Sequence, residues 1–144
     1  MIVAFKHNTH DNDIIDTFIT IWTNSKFIHS QIIFSNGEVG SSWMETGVAI
    51  RTIEDTVTYP YLYTFVEVNG LDEQKVYDYI KLHEGETFDM MGSAFPFLNR
   101  EDKWHCSEIL FSALKNGGLK SNMKAHKVYP QHLYDILINR ENNY

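Results

Sequence analysis

The run FIHSQIIFSNGEVGSSW, from Phe27 to Trp43, constrains this chain more than any other segment. Two stretches rich in apolar and β-branched residues flank Asn36-Gly37, a dipeptide suited to the positive backbone angles of a tight primed turn. The pattern predicts an antiparallel hairpin. A strict two-residue turn pairs Gln31 with Ser42 and puts both on the face of His29, whereas a bulged turn brings Ser41 round instead. Met1 to Lys6 reads as a further short strand. Val48 to Ile53 and Tyr61 to Val68 are also extended, the latter broken by Asn69-Gly70.

Helical spacing appears toward the two ends of the chain. Ile14, Ile15, Phe18, Ile19 and Trp22 share one face, and Asp11 or Asn12 can cap that helix. Leu71 to His83 places Val76, Tyr79 and Ile80 together and ends near Gly85. A short helix is expected within Phe88 to Phe97, with Asp89 at its start. Trp104 to Asn116 forms a helix that stops at Gly117-Gly118. Pro130 opens a last one through about Asn139, with Leu133, Ile136 and Leu137 inward. Strands in the middle and helices at the ends give an α+β fold. The 144 residues show no repeat or Pro/Gly/Ser linker, so residues 1–144 read as a single domain.

Composition narrows the function. A hydrophobic share of 43% and a charged share of 22% suit a water-soluble domain with a proper core. The single cysteine excludes an internal disulfide and a zinc site built from several thiolates. The opening MIVAFKHNTHDNDII lacks the pattern of a secretory leader, and no stretch of about 18 apolar residues is present. A cytoplasmic, reducing setting without stable membrane insertion is the expectation. The formal charge is −7, and the Lys and Arg residues form no basic stripe. That balance disfavours a nucleic-acid binder and suits an acidic enzyme or a protein-binding module.

The lone cysteine, Cys106, has two readings. With Ile109, Leu110, Ala113 and Leu114 it lies on the buried stripe of its helix, where a free cysteine is usually core filler. It also sits in the first turn, where unpaired backbone N–H groups and the helix dipole favour a thiolate. A nucleophilic thiolate needs a histidine partner. Among the seven histidines, His83, His126 and His132 fall in or near helix ends and read as solvated. His105 adjoins Cys106, but adjacent helical residues point about 100° apart. His29 differs, because it shares a strand face with Gln31 in an otherwise apolar run, and such a pair costs burial unless it is partnered. The run His7 to Asp13, HNTHDND, groups His7, His10, Asp11 and Asp13 but matches no metal-binding spacing. No metal and no cofactor are expected, and no glycine-rich phosphate loop opens a helix.

With His29 and Cys106 in hand, the sequence resembles the circularly permuted branch of the NlpC-like, papain-fold cysteine hydrolases, the YiiX-like proteins and their phage-borne relatives. In that branch the histidine strand precedes the cysteine helix. TNSKFIHSQIIFSNG resembles the family's "x-S-x-F-S-H-v-e-i-v-f-x-d-G" segment, and SSWMETGV resembles the following strand with its Gly-Val. FDMMGSAF resembles "Y-D-x-x-G", WHCSEILFSAL resembles "W-x-C-S-E-l-x-x-x-a-L", and VYPQHLYDIL resembles the closing "s-P-x-x-L-x-x-x-L" helix.

The resemblance implies a papain-like domain, a central antiparallel sheet packed on the cysteine-bearing helix with flanking helices. It implies Cys106 as nucleophile and His29 as its base. The family's third, orienting residue is a His or Glu, and that position here is Ser41, whose hydroxyl stabilises an imidazolium less than a carboxylate would. Glu45 is the nearest carboxylate on the return strand, and Phe88 stands where the family has tyrosine. Gln31 and Trp104 are expected to line the substrate cleft. The implied activity is a cysteine hydrolase or acyltransferase acting on an amide or ester bond, in a peptide or modified protein among other substrates. The alternative is a catalytically inactive papain-fold module that binds a host or viral protein.

Overall fold

Strand β1, Ile2–His7, sits inside the sheet because its residues are apolar on both faces. Val3, Ala4 and Phe5 are fully buried, as suits a strand flanked on both sides. It pairs antiparallel with β2 (Phe27–Ile33) on one edge and β5 (Tyr63–Glu67) on the other. Adding β3 (Glu38–Trp43) and β4 (Gly47–Thr52) completes a five-stranded antiparallel sheet in the order β4-β3-β2-β1-β5. The computed structural model describes residues 1–8, 26–89 and 103–141. The helix expected over Ile14–Trp22 and the residues His10, Asp11 and Asp13 lie outside them.

The remaining described elements cover the sheet. The short α1 (Ile53–Thr56) follows β4, and α2 (Glu73–Leu82) follows β5. β6 (Thr87–Phe88) and β7 (Lys103–Trp104) form a small parallel pair that leads into α3 (Cys106–Asn116). The last helix, α4, is Pro130–Glu141. Val3, Phe5 and Ile32 on one sheet face join Val76 and Ile80 of α2, Ile109, Leu110 and Leu114 of α3, and Leu133 and Leu137 of α4 in the main core. Each such side chain contributes about 1.5–3 kcal/mol when buried. The other face carries a smaller cluster of Ala4, Ile33 and Val39, with Trp43, Ile53, Val57 and Tyr63 packed on it. The architecture is therefore α+β with the cysteine helix on the main core, as expected.

Of the two hairpin turns left open by the sequence, the structure has the longer one, which brings Ser41 round. Phe34 N–H donates to the Glu38 carbonyl and Gly37 N–H to the Phe34 carbonyl, closing a three-residue loop with Gly37 at φ +83°. The register is Ile33↔Val39 and Ile32↔Gly40, so in sequence step Gln31 comes opposite Ser41 rather than Ser42. One local feature departs from the sequence reading: α3 begins at Cys106 rather than Trp104. Ser42 Oγ and the Asp89 N–H both donate to the Trp104 carbonyl, at 2.8 and 3.1 Å, and hold that residue extended. Phe88, just ahead of the helix expected from Asp89, belongs to β6, and the residues after Asp89 in that helix lie outside those described.

The far end of α3 follows expectation. Leu119 N–H bonds the Leu114 carbonyl and Gly118 N–H the Lys115 carbonyl, with Gly118 at φ +110°. This is the double closure that a left-handed glycine permits.

Gly47 is the glycine that the cleft side of the sheet cannot replace. It takes φ +70°, and a Cβ there would run into the Glu86 carbonyl, which also accepts the Val48 N–H at 2.8 Å. Gly37 has a similar φ but open space around it. Gly37→Ala should therefore cost only the left-handed backbone penalty of about 1–2 kcal/mol. Gly47→Ala should cost clearly more, read as a lower urea midpoint at unchanged slope.

Candidate active site

Cys106 is the first residue of α3, and its side chain is only 6% exposed. The sulfur does not sit among hydrocarbon alone. Ser107 Oγ lies 3.8 Å from it, and the Ser30 and Ser107 hydroxyls are 3.3 Å from each other. Burial pushes the thiol above its ordinary pKa. Hydrogen bonds from the backbones and side chains of Ser30 and Ser107 act against that rise. At neutral pH the group is a thiol ringed by donors that would favour the thiolate.

His29 stands one residue from Ser30 on β2, on the strand's other face. A row of side chains crosses the sheet there. Lys6 pairs directly with both His29 and Tyr63, and the imidazole lies 5.9 Å from the Trp43 ring. Arg51 from β4 stacks on Trp43, its guanidinium carbon 4.2 Å from the ring centroid. Just beyond His29 the β1–β2 ladder steps from Lys6↔His29 to His7↔Phe27, leaving Ile28 as the extra residue of a bulge. Burial, then the charges of Lys6 and Arg51, lower the imidazole pKa to about 3, while a hydrogen bond with Gln31 opposes them. His29 is thus neutral, and its Nε2 is buried without a hydrogen-bond partner.

Thiol and imidazole open on one cleft of about 280 Å³, which Lys6, Trp43, Arg51 and Tyr63 also line. The resting hydrogen bonds of the thiol go to Ser30 and Ser107 rather than to His29.

The other expected site residues are placed as follows. Ser41 is fully buried, and its hydroxyl donates to the Ser30 carbonyl at 2.7 Å. It braces the backbone between His29 and the thiol instead of touching the imidazole. The side chain that hydrogen-bonds His29 is Gln31, only 1% exposed and two residues along the same strand face. Glu45 sits exposed in the turn between β3 and β4, on the cleft rim. Trp104 is turned elsewhere. Its indole N–H donates to Glu86 and its ring meets His83 edge-on. Trp43 and Tyr63 supply the aromatic wall of the cleft.

A second buried polar group adjoins the cysteine. His105 caps α3, its Nδ1 accepting the Glu108 N–H at 3.3 Å, and its ring stacks on Tyr129 at 5.1 Å and 7°. Burial lowers His105 to about 4; a hydrogen bond with the His126 backbone opposes the drop and the charge of His126 adds to it. Burial raises Glu108 to about 7, and the Asp89 carboxylate adds to the rise. His105 Nε2 and Glu108 Oε2 are 3.6 Å apart, a spacing compatible with an ion pair. The imidazole is nevertheless uncharged at neutral pH, so burial and not pairing governs both groups. The sequence signal for this cluster was His105 and Glu108 at i and i+3 around the cysteine; the contributions of Asp89 and Tyr129 come from distant segments.

Among the described residues no group of three His, Cys, Asp or Glu side chains is arranged to hold a metal ion. His7 instead makes a 2.6 Å hydrogen bond with Thr64 Oγ1. No described helix is long and apolar enough to cross a membrane. No family model matches the chain, and no curated protein does.

These shifts fix the sign of the pH dependence. The unfolded chain protonates its histidines near 6.5, whereas native His29 and His105 resist until about 3 and 4, so their contribution is lost as pH falls below 6.5. Glu108 acts oppositely. Its neutral form is favoured in the fold, so its contribution is lost as pH rises from 4.5 through about 7. Glu108→Gln should raise the urea midpoint relative to the unmodified protein at pH 8, with the advantage shrinking toward pH 5.

Proposed function

We propose that the chain is a thiol hydrolase or acyltransferase of permuted papain-like architecture, using Cys106 on an amide or ester carbonyl. One observation carries the reading: the sulfur sits at a helix start facing the N–H groups and hydroxyls of Ser30 and Ser107, on a cleft it shares with His29. A cysteine that only fills a core needs no such ring of donors.

In this reading both groups start neutral, so proton transfer accompanies attack. The sulfur forms a bond to the carbonyl carbon while His29 takes the thiol proton and the carbonyl electrons move to oxygen. The free Cys106 backbone N–H at the helix start stabilises that oxyanion, an effect worth about 3–4 kcal/mol per donor in enzymes where it has been removed. Collapse breaks the bond to the amine or alcohol, which leaves with the proton from His29. Water or an acceptor, deprotonated by His29, then cleaves the thioester and restores the thiol. Gln31 orients the imidazole through its hydrogen bond. The resting partners of the sulfur are Ser30 and Ser107, so the His29 side chain has to turn toward the sulfur within the shared cleft before attack. The bulge at Ile28 sits where that movement originates.

The raised thiol, bonded to serines at rest, favours a second reading, a papain-fold module that binds a partner protein without catalysis. Acyl trapping separates the two. With an activated ester, Cys106 in the folded protein should gain one acyl group by mass spectrometry, then lose it on standing. His29→Ala should slow acylation by about 10²–10⁴-fold. Cys106→Ser should abolish the thioester. Labelling that appears only on unfolding would leave the binding module as the correct description.

A further inference from the structure

The cleft carries two cations whose purpose the thiol chemistry does not explain. Lys6 and Arg51 reach it from β1 and β4, on opposite sides of His29, in a chain of formal charge −7. Neither residue makes an ion pair among the described residues. Arg51 is also held in place. Its Nη2 donates to Thr46 Oγ1 at 2.8 Å while the guanidinium carbon lies 4.2 Å from the centre of the Trp43 ring. A side chain fixed by stacking and a hydrogen bond loses little freedom when an anion arrives. Two carboxylates also line the cleft, Glu45 on the exposed turn and Asp55 on α1, the latter accepting the Thr52 hydroxyl at 2.7 Å. The charges felt at the His29 ring are those of the two cations.

We infer that Lys6 and Arg51 form a subsite for a carboxylate of the substrate, on the sheet face that carries His29 and beside the Trp43 ring. The substrate class is thus an acidic acyl compound or acidic peptide rather than a neutral lipid ester. This inference deepens the hydrolase reading and depends on it only for the word substrate; the anion site itself rests on the charges and their geometry. A carboxylate between the two cations would offset the field that opposes protonation of His29. An acidic substrate would thereby help the base accept its proton, and a neutral one would not.

The test uses the whole chain and small probes. Glutarate, its neutral analogue glutaramide and inorganic phosphate are titrated while the His29 imidazole resonances are followed by NMR. Glutarate should move them saturably and raise the pH at which His29 titrates, and glutaramide should do neither. Lys6→Gln and Arg51→Gln, on separate strands, should each weaken glutarate binding by about tenfold or more. Lys120→Gln, which removes an exposed cation that does not line the cleft, should bind glutarate as the unmodified protein does. No saturable shift, an equal response to glutaramide, or undiminished binding in both cleft variants overturns the subsite; a response to phosphate alone overturns its assignment to carboxylates. Glutarate binding in a protein whose Cys106 the activated ester fails to acylate would instead refute the hydrolase reading and leave the anion site standing.

Discussion

The apolar stripe of α3 packed against the inner strands is the constraint on which the rest depends. Ile109, Leu110, Ala113 and Leu114 are fully buried, and their helical spacing fixes which side of α3 faces the sheet. Once that side is set, Cys106, at the head of the same stripe, must lie close to β2. The thiol comes to rest against Ser30 because the helix has no other way to bury its face. The closing glycines hold the far end of the helix. Gly117 approaches Val76 so closely that a Cβ would collide with it, tying α3 to α2. Packing that serves the core therefore also decides the position of the reactive group.

Placing polar groups at such a depth has an electrostatic consequence. Cys106, His29, His105 and Glu108 are all shifted toward their neutral forms, and burial is the first cause in each case. The molecule at rest has no thiolate–imidazolium pair. Chemistry that starts from the thiol and the neutral imidazole must move a proton between buried groups, where a charge brought by a ligand acts more strongly than it would in water. This is why the two cations near His29, neither in an ion pair among the described residues, matter. They oppose protonation of the imidazole in the empty cleft, and an anion placed between them removes the opposition.

Much of the frame was legible from pattern alone. The strands, the hairpin, the helix at residues 73–82, the cysteine helix and the final helix all follow from periodicity and glycine placement. What pattern alone missed or left open has local causes. A helix start at Trp104 overlooked two donors from distant segments, Ser42 and the Asp89 N–H, which keep that residue extended. The hairpin register turned on one added loop residue, which Asn36-Gly37 does not specify by itself. Ser41 was sought as an orienting group by its position in the chain, whereas its hydroxyl braces the Ser30 carbonyl and Gln31 bonds the imidazole.

The sequence by itself determined the α+β class, the antiparallel hairpin, the buried stripe beneath Cys106 and the presence of His29 and Gln31 on one strand face. Those are properties of residues near one another in the chain, where spacing and turn chemistry suffice. Tertiary structure alone decided that Lys6 stands beside His29, that the Arg51 side chain reaches back along the sheet to lie over Trp43, and that the thiol faces serine donors. Such juxtapositions depend on strand register and on the bulge at Ile28, which shift side chains between partners without altering the local pattern.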